Sequence, residues 1–280
     1  MVFISTDRGC GPEGGGYVYA FHKATGKLKW KLKASGPSTG FAQISDLIVF
    51  GTRTDEWLAA AIRSGQVKWS NRDPGTDPGC QIRSSPVTDG KRIYLVTHDS
   101  VIYALNSSGR RLWFRRAPTP VSTSLFIHKN VLYFGAESGF IYAINLANDS
   151  FSGKLQIPGI PRGRFAGSGN GGADSEYLFA VENKEGRDIG VLHSFSDEFG
   201  RVLWSSSAER EWTSEQPHLW REWIIAGNCK GDVVAYRVAD GKPAWSDHVK
   251  GCVRSFGHDD LTLYIGVQEG TVYAYRPATP

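Results

Sequence analysis

The chain has 280 residues and a net charge of +4, with 40% hydrophobic and 21% charged residues, 33 Gly, 9 Trp and a single Met. This is the profile of a globular protein rich in strands and turns. With no Lys/Arg block longer than Arg110-Arg111 or Arg115-Arg116, it excludes a basic nucleic-acid-binding arm.

The first segment, Met1-Val2-Phe3-Ile4-Ser5, reads as a strand and not as a leader, and no run approaches the roughly 18 apolar residues that span a bilayer. Two localisations stay open: cytoplasmic as the chain stands, or extracytoplasmic if a leader or a longer chain has been removed. The next segment sets the pattern. Tyr17 to His22 alternates in the manner of a strand, Lys23-Ala24-Thr25-Gly26 carries turn chemistry, and Lys27 to Lys31 resumes a period of two.

That hairpin recurs. Its signature is a bulky residue, a small residue, a Gly and, three residues further, a Trp. The copies are Tyr19-Ala20 with Gly26 and Trp30, Leu58-Ala59 with Gly65 and Trp69, and Tyr103-Ala104 with Gly109 and Trp113. A decayed copy follows at Tyr142-Ala143, with Leu155 expected in the Trp place. His193-Ser194 leads to Gly200 and Trp204, and Val234-Ala235 to Gly241 and Trp245, while Tyr273-Ala274 ends before its Gly and Trp. Successive small residues are 39, 45, 39, 51, 41 and 39 apart.

Two further strand-like segments precede each hairpin. Arg83 to Thr88 and Arg92 to Thr97 flank the turn signal Asp89-Gly90; Val121 to Ile127 with Val131 to Ala136, and Val253 to Phe256 with Leu261 to Val267, repeat the arrangement. Four short antiparallel strands in about forty residues is the period of a propeller blade. The fold expected is all-β: a seven-bladed β-propeller of four-stranded antiparallel blades, forming a single domain over 1–280. The blades fall at approximately 1–34, 36–72, 80–116, 119–157, 159–206, 210–248 and 250–280. The first lacks an innermost strand and the last an outermost one, which predicts imperfect ring closure or a piece of a longer protein. The repeat tryptophans Trp30, Trp69, Trp113, Trp204 and Trp245 are expected between blades, where a large apolar area is most useful.

The pattern Tyr-Ala-x-x-x-x-x-Gly-x-x-x-Trp, seen best at Tyr19 to Trp30, resembles the repeat of the quinoprotein-like (PQQ-like) β-propellers, and Ser84-Ser85-Pro86-Val87 with Asp89-Gly90 matches the same repeat. The resemblance spans essentially the whole chain. Its groups include quinoprotein alcohol dehydrogenases, an outer-membrane assembly scaffold lipoprotein, and ligand-sensing propellers. The dehydrogenases use a disulfide of adjacent cysteines, a Trp floor and a metal site with a catalytic Asp. None of the four cysteines, Cys10, Cys80, Cys229 and Cys252, is adjacent to another. No catalytic residue, PQQ or other cofactor, or metal is therefore expected. The scaffold lipoprotein's lipid-accepting Cys has no counterpart near the N-terminus, since Cys10 sits in a Gly-rich turn.

Aligning the blades places Arg83, Ser122, Arg164, Ser214 and Arg254 at the channel-facing starts of first strands. Three arginines around one mouth would attract a carboxylate or phosphate; the alternative is pairing with Asp55, Glu137 or Glu269, and this is the reading preferred. Cys10, Cys229 and Cys252 are placed on the same face and are expected as free thiols, with a disulfide as the alternative. Trp57 and Trp212 are the surface aromatic candidates. Gly167-Ser168-Gly169-Asn170-Gly171-Gly172 matches GxGxxG, yet a strand follows it where a dinucleotide site needs a helix, so it reads as a turn. His98-Asp99 and Asp55-Glu56 have no nucleophile at triad spacing. The function expected is a non-catalytic scaffold with protein partners, neither binding nucleic acid nor inserting in a membrane. The alternatives are a sensor or carrier for a small anionic ligand, and then a quinoprotein-like enzyme or hydrolase.

Overall fold

The computed structural model describes residues 1–7, 15–36, 39–52, 54, 56–72, 84–167, 175–184, 187–196, 201–207 and 217–276. Among them there is no helix; every regular element is a strand. The chain divides into two compact units, Met1–Ile127 and His128–Pro280.

The first unit holds three antiparallel sheets. They are β1 (Val2–Asp7), β2 (Gly16–Phe21) and β3 (Leu28–Ala34); then β4 (Ala42–Ile44), β5 (Leu47–Gly51), β6 (Glu56–Ala61) and β7 (Val67–Arg72); then β8 (Val87–Thr88), β9 (Arg92–Val96), β10 (Val101–Asn106) and β11 (Arg111–Arg116). The unit boundary falls within β12 (Phe126–His128), which opens a fourth sheet continued by β13 (Val131–Gly135), β14 (Phe140–Asn145) and β15 (Ser150–Gln156). The second unit adds β16 (Ile160–Gly167), β17 (Ser175–Lys184), β18 (Arg187–Ser196) and β19 (Val202–Ser207), followed by β20 (His218–Trp220), β21 (Trp223–Gly227), β22 (Asp232–Arg237) and β23 (Pro243–His248). Its last sheet is β24 (Val253–His258), β25 (Leu263–Val267) and β26 (Val272–Tyr275). In every sheet, strands adjacent in sequence are adjacent in space. Repeated four-stranded meanders of this kind make the protein an all-β β-propeller. The first and last sheets have three strands each.

The repeat signature has a structural cause. In each hairpin the small residue lies opposite the Trp: Ala20 pairs with Trp30, Ala59 with Trp69, Ala104 with Trp113, Ser194 with Trp204 and Ala235 with Trp245. Directly after each small residue the register shifts by one. Such a bulge bends the outer strand and re-aims its side chains. The turn then needs one residue in the left-handed region, supplied by Gly65 at φ 71° and Gly241 at φ 68°. In the fourth sheet Ala143 pairs with Gly153, so Gly153 holds the Trp place and not Leu155, and Asp149 at φ 55° takes the turn position of the glycine.

Three of these tryptophans join consecutive sheets, while Trp113 Nε1 is buried without a hydrogen-bond partner among the described residues. Trp30 Nε1 donates to the Ile62 carbonyl at 2.9 Å, Trp69 Nε1 to Ser107 at 2.9 Å and Trp204 Nε1 to Val238 at 3.0 Å. Each ring lies against the glycine of the neighbouring turn; a Cβ added to Gly65 would sit 2.7 Å from the Trp30 ring. Val18, Ala20 and Trp30 bury against Ile48, Phe50, Leu58 and Ala60, while Trp57, Ala59 and Ala61 bury against Ile93 and Leu95. Each aliphatic or aromatic side chain so buried contributes about 1.5–3 kcal/mol.

Candidate functional site

Four of the loops between second and third strands share one frame. In the third sheet Thr97 N donates to the Val101 carbonyl and Ser100 N back to Thr97. Ala136 with Phe140 and Gly139, Asn228 with Asp232 and Gly231, and Val267 with Thr271 and Gly270 repeat both bonds. The last position of each loop is left-handed, with Ser100 at φ 64°, Gly139 at 81°, Gly231 at 92° and Gly270 at 85°. On this constant backbone the two tip residues differ: His98-Asp99, Glu137-Ser138, Cys229-Lys230 and Gln268-Glu269, all exposed. A frame fixed by main-chain bonds holds its tips without needing their side chains, so those positions can vary in chemistry.

In the last two sheets these loops are tied to first-strand starts. Cys229, in the loop after β21, forms a disulfide with Cys252, the residue before β24. Val253 N donates to the Asn228 carbonyl at 3.1 Å, and the Glu269 carboxylate accepts from Cys252 N at 3.1 Å. The expectation of free thiols is thereby corrected for this pair: the two loops converge because consecutive sheets bring second-strand ends beside the next first strand. Cys10 and Cys80 lie outside the described residues.

Of the predicted mouth residues, Arg254 stands in β24 and donates through Nε (3.1 Å) and Nη2 (2.6 Å) to Gln268 Oε1, a neutral acceptor and not the carboxylate expected. Ser122 precedes β12 with its Oγ buried and without a hydrogen-bond partner among the described residues. Arg164 lies in β16, but its side chain, like Arg83, Ser214, Trp212 and Asp55, falls outside what is described. Trp57 is corrected as a surface candidate. It is 3% exposed, because strand alternation puts it on the face of Ala59, which packs on the third sheet.

Nothing in the sequence indicated a groove beside the sixth sheet. Trp220, Trp223, Trp245, Ser246, Asp247, Tyr275 and Arg276 line a groove of about 280 Å³ between the outer strand β23 and β26. Trp245 stacks on Tyr275 with ring centres 6.4 Å apart and planes 16° apart, and meets Trp223 edge-on. Burial, then the hydrogen bond and charge of Asp247, push the Tyr275 phenol up to about 12.

Residues 14–186 and 188–279 match the family described as outer membrane protein assembly factor BamB. Among solved structures, BamB from Moraxella catarrhalis superposes with a TM-score of 0.69 at 17% identity, over 94% of this chain and 80% of that one. The computationally designed Ika8 protein gives 0.69 at 14%, over 94% and 79%. At these identities the likeness is one of fold. No curated protein sequence matches.

Proposed function

The chain belongs to the outer membrane protein assembly factor BamB family, and we propose that it acts as a non-catalytic scaffold whose partners are proteins. The observation that carries this reading is the set of four loops with one main-chain frame and four different exposed tips. Rigid, chemically varied tips lose little conformational entropy on binding, which suits recognition of a folded surface. An assembly role, named for the BamB proteins, is the kind of work such a surface does. In this reading the sheets are the blades of one propeller domain, the first and last of them three-stranded. The Cys229–Cys252 disulfide favours the extracytoplasmic alternative, since such bonds persist in oxidising compartments.

Photo-crosslinking tests the proposal. A photoreactive residue at 137, 230 or 269 should capture a discrete protein partner, and one at Lys29 or Arg111 on the outer strands should not. Absence of any adduct from all three tips, or equal capture from the outer strands, overturns it.

A further inference from the structure

The outer strands of the second and third sheets carry charge of one sign. β7 and β11 contain Lys68, Arg72, Arg111, Arg115 and Arg116, with Arg110 directly before β11, and no Asp or Glu. All six cations are exposed. An outer strand needs some charge, because an unpaired edge invites pairing with other chains. That need does not account for six: β15, β19 and β23 hold a single Lys or Arg among them, Lys154.

Apolar side chains stand among these cations. Val67 is 39% exposed, Leu112 45% and Phe114 53%. Phe114 pairs with Tyr103, which packs in the core between the second and third sheets, so strand alternation puts Leu112 and Phe114 on the side of β7. Trp69 Nε1 donates to the Ser107 carbonyl and the Asn71 side-chain amide to the Gly109 carbonyl, tying β7 to the turn that leads into β11. The two strands therefore present one surface within the first unit. Its aromatic rings are covered: the Arg111 guanidinium lies 5.3 Å from the Phe114 ring centre, and that of Arg115 lies 5.6 Å from Trp113. A guanidinium stacked on a ring keeps its N–H edge for an anion. Arg116 reaches Asp99 at 3.5 Å, but an exposed pair of this kind leaves the patch positive.

We propose that β7 and β11 form a peripheral docking surface for an anionic bilayer, the cations meeting headgroup phosphates while Val67 and Leu112 enter the boundary between headgroups and acyl chains. Two observations choose this occupant. Cations interleaved with exposed aliphatic residues match a layered partner, charged outside and apolar beneath. A single-stranded nucleic acid, the other polyanion, would stack its bases on open rings, and here guanidiniums already cover them. Docking of this kind needs no segment that crosses the membrane, and among the described residues no helix is long and apolar enough to do so. The inference goes beyond the scaffold reading and does not depend on it.

Flotation of the full chain with lipid vesicles tests it. The chain should bind vesicles of equimolar phosphatidylglycerol and phosphatidylcholine, stay free of phosphatidylcholine alone, and come off as salt is raised. At about fivefold per cation near a charged surface, Arg111→Gln with Arg115→Gln and Arg116→Gln should weaken binding about hundredfold. Lys154→Gln with Arg201→Gln and Lys242→Gln removes the same net charge elsewhere and should leave binding within about twofold of wild type. Leu112→Ser keeps every charge and should still lose about tenfold. No binding, or equal binding to both vesicles, overturns the proposal. So do equal losses in the two triple variants, or Leu112→Ser binding like wild type. Retention of a single-stranded DNA oligonucleotide by a chain that ignores the vesicles also overturns it and assigns the surface to nucleic acid. Should the arginine variant lose its melting transition, Lys68→Gln with Arg72→Gln repeats the comparison, with a loss of about 25-fold expected. Crosslinking at the loop tips reads the scaffold role separately, so failure of one leaves the other standing.

Discussion

Gly26 and Gly65 occupy the same turn position with nearly the same backbone, φ 65° and 71°, yet they differ in what surrounds them. A Cβ on Gly65 would meet the Trp30 ring at 2.7 Å; one on Gly26 would meet nothing within 4 Å. Gly26→Ala should therefore cost only the left-handed strain, about 1 kcal/mol. Gly65→Ala adds overpacking against a ring held by its Nε1 bond, and should cost about 2–4 kcal/mol. Urea unfolding of the two variants side by side reads the difference, and equal losses would refute the Trp–Gly lock. Tyr275 offers a second check at this scale. Its phenol is raised to about 12, so the neutral form is favoured in the fold. The associated stability is present below about pH 10 and is lost as pH rises toward the folded value, which absorbance titration at alkaline pH follows.

Strand connections were the most legible element, because their chemistry is local. Asp89-Gly90 signalled a hairpin, and Asp89 Oδ1 accepts from Lys91 N at 2.9 Å and Arg92 N at 2.6 Å, while Tyr94 Oη donates to Oδ2 at 2.8 Å. Asp259 repeats this with Leu261 N, Thr262 N and Tyr264. Burial raises the Asp89 pKa, but bonds from the Arg92 and Lys91 amides, then Tyr94 and Arg92 side chains, outweigh it and leave it lowered. A depressed carboxylate stabilises the fold above its unfolded value, near 4, and that contribution is lost as pH falls through the folded value. Asp89→Asn should cost about 1–3 kcal/mol at neutral pH and shrink the gap to wild type in acid, measured by thermal unfolding across pH 2–7. The third-strand position of Trp57 was misread for the opposite reason. Its alternation was plain, but which face met another sheet was not a local property.

At the scale of the molecule, the Cys229–Cys252 bond closes a loop across 23 residues and ties the sixth sheet to the seventh. Removing it should cost about 3 kcal/mol, chiefly by freeing the unfolded chain. Cys229→Ser with Cys252→Ser, compared with wild type under oxidising and reducing conditions, measures this. Reductant should lower the wild-type melting temperature and leave the double variant's response to this pair absent. The sequence by itself determined the repeat, the strand order, the turn glycines and the Trp ladder, because each rests on periodicity or on a backbone angle few residues tolerate. Tertiary structure alone decided the rest: that Gly153 and not Leu155 faces Ala143, that Cys229 meets Cys252, and that Arg254 is held by Gln268. Those outcomes depend on which distant strand ends are brought together, and a chain read residue by residue carries no distance between them.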